Sequence, residues 1–401
     1  MCDQTRRLRV TRVTAKPVLA LAKPEPGPTC HKTTRRRPPT TLDDAMSITN
    51  CAACAAPLAH DAPQCVRCKT RYCDSTCQHD HWRRGHKQIC KKIHRGGNAE
   101  QYNADNKYKE AVAVAVEACD EDTKGQTCFI CMEGIKRRTA EGLVSGFCAC
   151  RGGSSFAHVS CLVRQAEVAV EEALENNLDA NRGRPKWALW TDCSLGGQDY
   201  HGVVSCALGW ACWKTYVGRP DIDTFRLCAM GVLASGLGDV GQHLEQLGII
   251  EAHLATLRRN GWDDNDIAAS NLARCYAQLE RNDEALAIHR DVYARRVRQK
   301  NDACSVYTSA LNLASLLASM GRFSKVREFM GDGMLPAARQ TFGPESELFL
   351  KLWRCDAIAQ KETDPVRSLA LLEEIECIAR RVFGPRHHIT SLIQEDIALA
   401  K

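Results

Sequence analysis

The chain has 401 residues, enough for two to four domains and a sizeable buried interior. Charged residues at 25% and apolar residues at 44% exclude wholesale disorder, and an aromatic content of 6% suits helical repeats or small metal domains better than a large β-sandwich. The formal charge of +6 lies entirely in residues 1–45, where ten Lys/Arg face four Asp/Glu; the remainder carries 44 of each sign, which argues against a nucleic-acid groove on the body of the protein.

Residues 1–46 are rich in Arg, Thr and Pro, with Lys23-Pro24-Glu25-Pro26-Gly27-Pro28 and Arg35-Arg36-Arg37-Pro38-Pro39. Such a segment buries too little apolar surface to offset its ordering entropy, so it is expected to be a disordered basic tail. It fits a solvated tail, an organelle-targeting peptide or, through Arg35–Arg37, a nuclear-import patch, and Met46 is an alternative start. No secretory leader is apparent, and the longest apolar run, Val203 to Trp213, has eleven residues where a membrane helix needs ~20. No membrane partner is expected, and the setting reads as intracellular, cytoplasm or nucleus.

Twelve of the 23 cysteines fall between Cys51 and Cys150, ten of them in close pairs. In a reducing compartment, paired Cys with interspersed His reads as zinc. The first cluster lies within 47–94: Cys51-x-x-Cys54, Cys65-x-x-Cys68, Cys73-x-x-x-Cys77 and His86-x-x-x-Cys90. A spacing of three intervening residues puts both members on one helical face, about a turn apart. Eight N/S donors make two closed tetrahedral sites.

The string Tyr72-Cys73, Cys77-Gln78-x-x-x-Trp82-x-x-x-His86-Lys87-x-x-Cys90 resembles a MYND-type zinc finger. That resemblance implies interleaved pairs, with Cys51, Cys54, Cys73 and Cys77 on one Zn²⁺ and Cys65, Cys68, His86 and Cys90 on the other. It also implies that the finger binds short peptide segments of partner proteins. Arg83, Arg84, Lys87, Lys91 and Lys92 would offset the negative site charges, and Trp82 is expected to pack a domain with little other core. Some MYND fingers sit inside methyltransferases, but the hallmark Asn-His-x-Cys-x-Pro-Asn is missing here, which argues against methyl transfer.

Residues 95–127 read as a linker carrying a helix near Ala104–Ala118. The second cluster, within 128–216, comprises Cys128-x-x-Cys131, Cys148-x-Cys150, His158-x-x-Cys161 and Cys193. It resembles the RING-CH variant finger. The resemblance implies one site from Cys128, Cys131, His158 and Cys161, and a second from Cys148, Cys150, Cys193 and one further donor, hence one or two Zn²⁺. The family ends on Cys-x-x-Cys, but Cys193 is followed by Gly196. Asp192, Asp199, His201 or Cys206 could supply the fourth donor, His201 being favoured by ligand type and loop reach; otherwise the site is three-coordinate or unused. RING-CH fingers commonly recruit a ubiquitin-conjugating enzyme through an apolar residue in the first knuckle, here Ile130, and contribute no nucleophile. Gln165 at the expected Trp and the broken last knuckle favour a binding-only finger.

Residues 217–401 turn Ala/Leu/Arg-rich with helical periodicity. Asn271-Leu272-Ala273-x-x-Tyr276 recurs as Asn312-Leu313-Ala314-x-x-Leu317, and Phe342-Gly343-Pro344 as Phe383-Gly384-Pro385, each 41 residues apart; Leu237-Gly238 precedes Leu279-Glu280 by 42. A period near forty built from helix pairs marks a solenoid and resembles tetratricopeptide repeats of the kinesin light chain type. Gly321 fits the inter-helix turn, where Glu280 and Glu362 replace Gly in neighbouring units. The expected fold class is small zinc-stabilised α+β fingers followed by an all-α helical-repeat solenoid. The expected function is a zinc-binding adaptor for proteins or short peptides; the alternative is a RING-CH-type ubiquitin ligase.

Overall fold

Short polar residues open the helices, and cysteine-bearing loops occupy the spaces between the first of them. The computed structural model describes residues 50–400 except 57, 59–61, 149, 151, 177–185, 263–264 and 386; the basic tail at 1–46 lies outside the described residues. Asp74 caps α1 (Ser75–His81) by accepting from the Cys77 N–H at 2.8 Å. A wide turn, Trp82–His86, with Gly85 at φ 133°, leads into α2 (Lys87–Arg95). Asn98 caps the twenty-residue α3 (Ala99–Ala118), and the single turn α4 (Asp120–Thr123) follows. After the second cysteine region come α5 (Val159–Glu175) and α6 (Gly202–Tyr216).

Helix pairs make up the rest: α7 (Thr224–Asp239) with α8 (His243–Arg259), α9 (Asp266–Gln278) with α10 (Asn282–Arg298), and α11 (Ala303–Ser319) with α12 (Phe323–Met330) and α13 (Met334–Phe342). Then α14 (Glu347–Ala359) pairs with α15 (Pro365–Phe383), and α16 (His388–Ala400) ends the described chain. The first helix of each pair is capped by a side chain, from Asp223, Asn265, Asp302 and Ser346 in turn. First helices stack on first helices, α9 on α11, α11 on α14 and α14 on α16, which is the arrangement of a helical-repeat solenoid.

The repeated motifs occupy equivalent places. Asn271–Tyr276 and Asn312–Leu317 both lie in first helices, while Phe342 and Phe383 end second helices before Gly343 (φ 87°) and Gly384 (φ 93°). One register differs from expectation. The inter-helix turns are made by Gly241 (φ 73°), Glu280 (φ 60°) and Gly321 (φ 67°), so the partner of Glu280 is Gly241, not Gly238. Gly238 lies inside α7, where an added Cβ would meet the Gln246 amide at 2.6 Å.

The fingers hold less strand than an α+β fold would. Among the described residues their β content is three isolated antiparallel bridges, Gln64↔Arg71, Val144↔Ala157 and Asp192↔Asp199. The loops are too short to ladder, and backbone N–H groups turn instead toward sulfur: those of Ala53 and Cys73 toward Cys51 Sγ, and that of Ile130 toward Cys128 Sγ, each at 3.4 Å.

Apolar clusters tie these parts together. In the first finger Tyr72 and Ile93 are fully buried, whereas Trp82, expected to pack that core, is 39% exposed and stands edge-on to His86. A cluster around Trp190, Trp210, Trp213 and Leu233 runs from α5 and α6 into α7 and α8, so α6 shares its interior with the repeats across position 217. The helix expected in the 95–127 linker is α3: it packs along α6, and its two ends join the two cysteine regions through Tyr102 and Ala115. Among the described residues, no helix is long and apolar enough to cross a membrane.

Candidate metal centres

Four stretches of backbone adopt one turn. In Cys51–Ala56, Cys65–Thr70, Cys128–Glu133 and Cys193–Gln198, the leading Cys N–H donates to the carbonyl five residues on, at 2.7–2.9 Å. Its own carbonyl accepts, at 2.8–2.9 Å, from the N–H four residues on. The donor of that second bond is always left-handed: Ala55 (φ 59°), Lys69 (φ 64°), Met132 (φ 61°) and Gly197 (φ 60°). The same turn at Lys136–Glu141 carries no cysteine, so the leading thiol, not the turn, distinguishes the four. The third residue after that thiol is Cys54, Cys68, Cys131 and, in the last turn, Gly196.

These knuckles bring the cysteines and histidines into four groups whose donor atoms lie within 4.8 Å of one another: Cys51, Cys54, Cys73 and Cys77; Cys65, Cys68, His86 and Cys90; Cys128, Cys131, His158 and Cys161; and Cys148, Cys150 and Cys193. Cys54 Sγ is 3.5 Å from Cys73 Sγ, and Cys65 Sγ is 3.8 Å from Cys90 Sγ. His86 faces Cys68 through Nε2 at 3.3 Å, while His158 faces Cys131 through Nδ1 at 3.3 Å. Cys150 and Cys193 are 3.6 Å apart. The thirteen cysteines are free thiols.

His201 does not join the last group. It precedes α6, exposed, and offers no side-chain cap to that helix. Asp192 and Asp199 sit opposite each other in a bridge of their own, and Cys206 is buried inside α6. Among the described residues the group has three donors, and His201 is not among them.

Electrostatics sort the thiols by position. Burial raises a thiol's pKa, but backbone N–H groups aimed at sulfur hold Cys51, Cys65, Cys128 and Cys193, the leading cysteine of each knuckle, below the ordinary value. Burial and the charge of neighbouring sulfurs push Cys73 and Cys77 well up, and Cys90 and Cys161 up to about 12. Sulfurs so close ionise together only with a cation among them. Burial holds His86 and His158 below the usual imidazole range, in the neutral form that metal coordination needs. The groups could thus hold metal ions, and their N/S donor chemistry is of the kind zinc takes.

Further side chains touch the donors without being visible as ligands in the sequence. Thr70 Oγ1 is 3.0 Å from Cys68 Sγ, and the Lys136 ammonium donates to Ser160 Oγ at 2.7 Å while standing 3.5 Å from Cys161 Sγ. His81 is buried, 3.0 Å from the Tyr72 hydroxyl and stacked on His86. Arg84 donates to the Ala53 carbonyl, beside the first knuckle. No ligand spacing marks these residues, because they reach the centres from outside the pairs.

A cavity of about 1270 Å³ lies between the second finger and the repeats. Cys148, Cys150 and His201 line one side; Asp239, Arg274 and Glu347 line the other.

No family model matches the chain. A stretch of 61 residues is 39% identical to ubiquitin carboxyl-terminal hydrolase 17 of Arabidopsis thaliana, covering 15% of this chain and 8% of that protein. Two solved structures of a Podosopora anserina putative kinesin light chain with nearly identical TPR-like repeats, one of them a substituted form, are similar at 19% identity. Each covers 56% of this chain and 97% of its own, with TM-scores of 0.36 and 0.35.

Proposed function

We propose that the protein is a zinc-binding interaction adaptor, with a MYND-type finger at 47–94, a RING-CH-like finger at 128–216 and tetratricopeptide-like repeats at 217–401. The observation carrying this reading is the sorting of fifteen Cys and His into groups of four, four, four and three. The bound zinc would cross-link loops whose apolar interior is too small to fold alone. Around it, the chain's own residues do the work of recognition. The knuckle turns set the direction of the flanking side chains, and the stacked helix pairs offer an extended face to partner segments.

Metal analysis of the full chain tests this directly. Three or four zinc per chain is expected, and one or none would sink the zinc reading of both fingers. A pull-down comparing wild type with Cys73→Ala and His158→Ala then assigns partners to each finger.

One observation favours the ligase reading as a second choice. Ile130, Met132, Ile135 and Leu195 are exposed around the two knuckles of the second finger, with Met132 at 71%. These side chains would offer apolar surface to a ubiquitin-conjugating enzyme. Self-ubiquitination by wild type that is lost in Ile130→Ala would establish the ligase and displace the adaptor.

A further inference from the structure

We infer that the Cys148–Cys150–Cys193 cluster is a three-thiolate zinc site whose fourth donor is a neutral imidazole brought by a partner segment entering the adjoining cavity. This rests on the zinc reading above and says what completes one of its centres.

The fourth knuckle has kept its form and lost one thiol. Cys193–Gln198 makes the same two backbone hydrogen bonds as the other three knuckles, with the same left-handed residue in the same place. Where the others carry Cys54, Cys68 and Cys131, this one carries Gly196. A Cβ built on Gly196 would lie 3.2 Å from Cys150 Sγ, so that position points at the cluster. The centre therefore has a donor-sized gap in its protein wall, on a backbone already shaped to hold the donor.

The gap adjoins the cavity. Cys148, Cys150, Gly197 and His201 all line it, so a group lying there has access to the cluster. Charge selects the donor class. Three thiolates already outweigh a dication by one unit, and the cavity lining adds Asp122, Asp199, Asp239 and a Glu347 paired with Lys351, against Arg274, with His201 and His387 also on the wall. A fourth anion, thiolate or carboxylate, would enter against that field. A neutral nitrogen would not, and imidazole is a good zinc ligand.

The test uses the full chain with cobalt(II) in place of zinc, read by ligand-field absorption, with imidazole and acetate as probes. Four cobalt per chain and a saturable imidazole difference spectrum are expected in wild type, with no change on adding acetate. The response should vanish in Gly196→Cys, which adds one thiolate-to-cobalt charge-transfer contribution. It should persist in His201→Ala, whose spectrum before imidazole should match wild type. A wild-type spectrum indifferent to imidazole means the chain closes the site itself and overturns the inference. A starting spectrum altered in His201→Ala does the same, naming His201 as the closing residue. An equal response to acetate overturns the donor class. Only three cobalt per chain, with the other clusters loaded, overturns the inference together with the zinc reading of this cluster alone.

Discussion

The ammonium of Lys136 stands 3.5 Å from the sulfur of Cys161 and is held there by a 2.7 Å hydrogen bond to Ser160 Oγ. A dication held by the three thiolates and one imidazole of this group would leave a net negative charge, which this cation would offset. Outer contacts of this kind typically contribute 10–100-fold to metal affinity. Lys136→Gln is expected to speed chelator-driven release of one zinc by about tenfold, and Lys136→Arg to retain most of the hold. Equal release from all three proteins would leave Lys136 without this role.

Chelation should separate the fingers from the repeats. The first finger has Tyr72 and Ile93 as its fully buried large side chains, and closing a structural zinc site contributes on the order of 10 kcal/mol of folding free energy. Stripping zinc from the full chain is expected to abolish amide-exchange protection across residues 62–95 while α9 to α15 stay protected. Retained protection in the finger would show that its apolar core suffices.

Two glycines of α7 should respond in opposite directions. An added Cβ at Gly231 meets nothing within 4 Å, so Gly231→Ala is expected to stabilise by about 0.5–1 kcal/mol through helix propensity alone. At Gly236 the same atom would lie 2.7 Å from the Ser205 carbonyl and 2.8 Å from Cys206 Cα, because α6 and α7 touch backbone to backbone. Gly236→Ala is expected to destabilise by about 1–3 kcal/mol. Denaturant midpoints decide it; the same sign for both would contradict the close approach.

His289, in α10, is 5% exposed, and burial with the neighbouring Arg274 charge lowers its pKa to about 4. The fold therefore holds the neutral ring. Its contribution is complete above the ordinary imidazole value of about 6.5 and is lost as pH falls toward 4, at most about 3 kcal/mol in all. Unfolding of the repeats at pH 7 and pH 4.5 should show a smaller loss for His289→Gln than for wild type. Parallel losses would mean that His289 does not contribute.

Local spacing made much of the candidate site legible. Cys51-x-x-Cys54 and His86-x-x-x-Cys90 are fixed by one turn of chain, whatever the rest of the molecule does. That His201 stands apart from the last group was not legible, because spacing does not say how the loop before α6 is placed. The repeat period was visible in Asn271 and Asn312, which share one place in successive helices. The turn register was not, since Glu280 takes a left-handed conformation that composition assigns to glycine. Trp82 misled because the ring sits at the edge of the first cluster while Tyr72 fills its core.

Helix α3 carries a further implication. Its first turn packs with Tyr72 and Ile93, and its last with Val144 and Phe147, so one unbroken screw of twenty residues connects the two fingers. Adding a single residue to that screw would turn one finger about 100° around the axis relative to the other and advance it by about 1.5 Å. The azimuth between the two knuckle faces is thus written in residue count. A partner that grips both fingers at once measures the phase of α3.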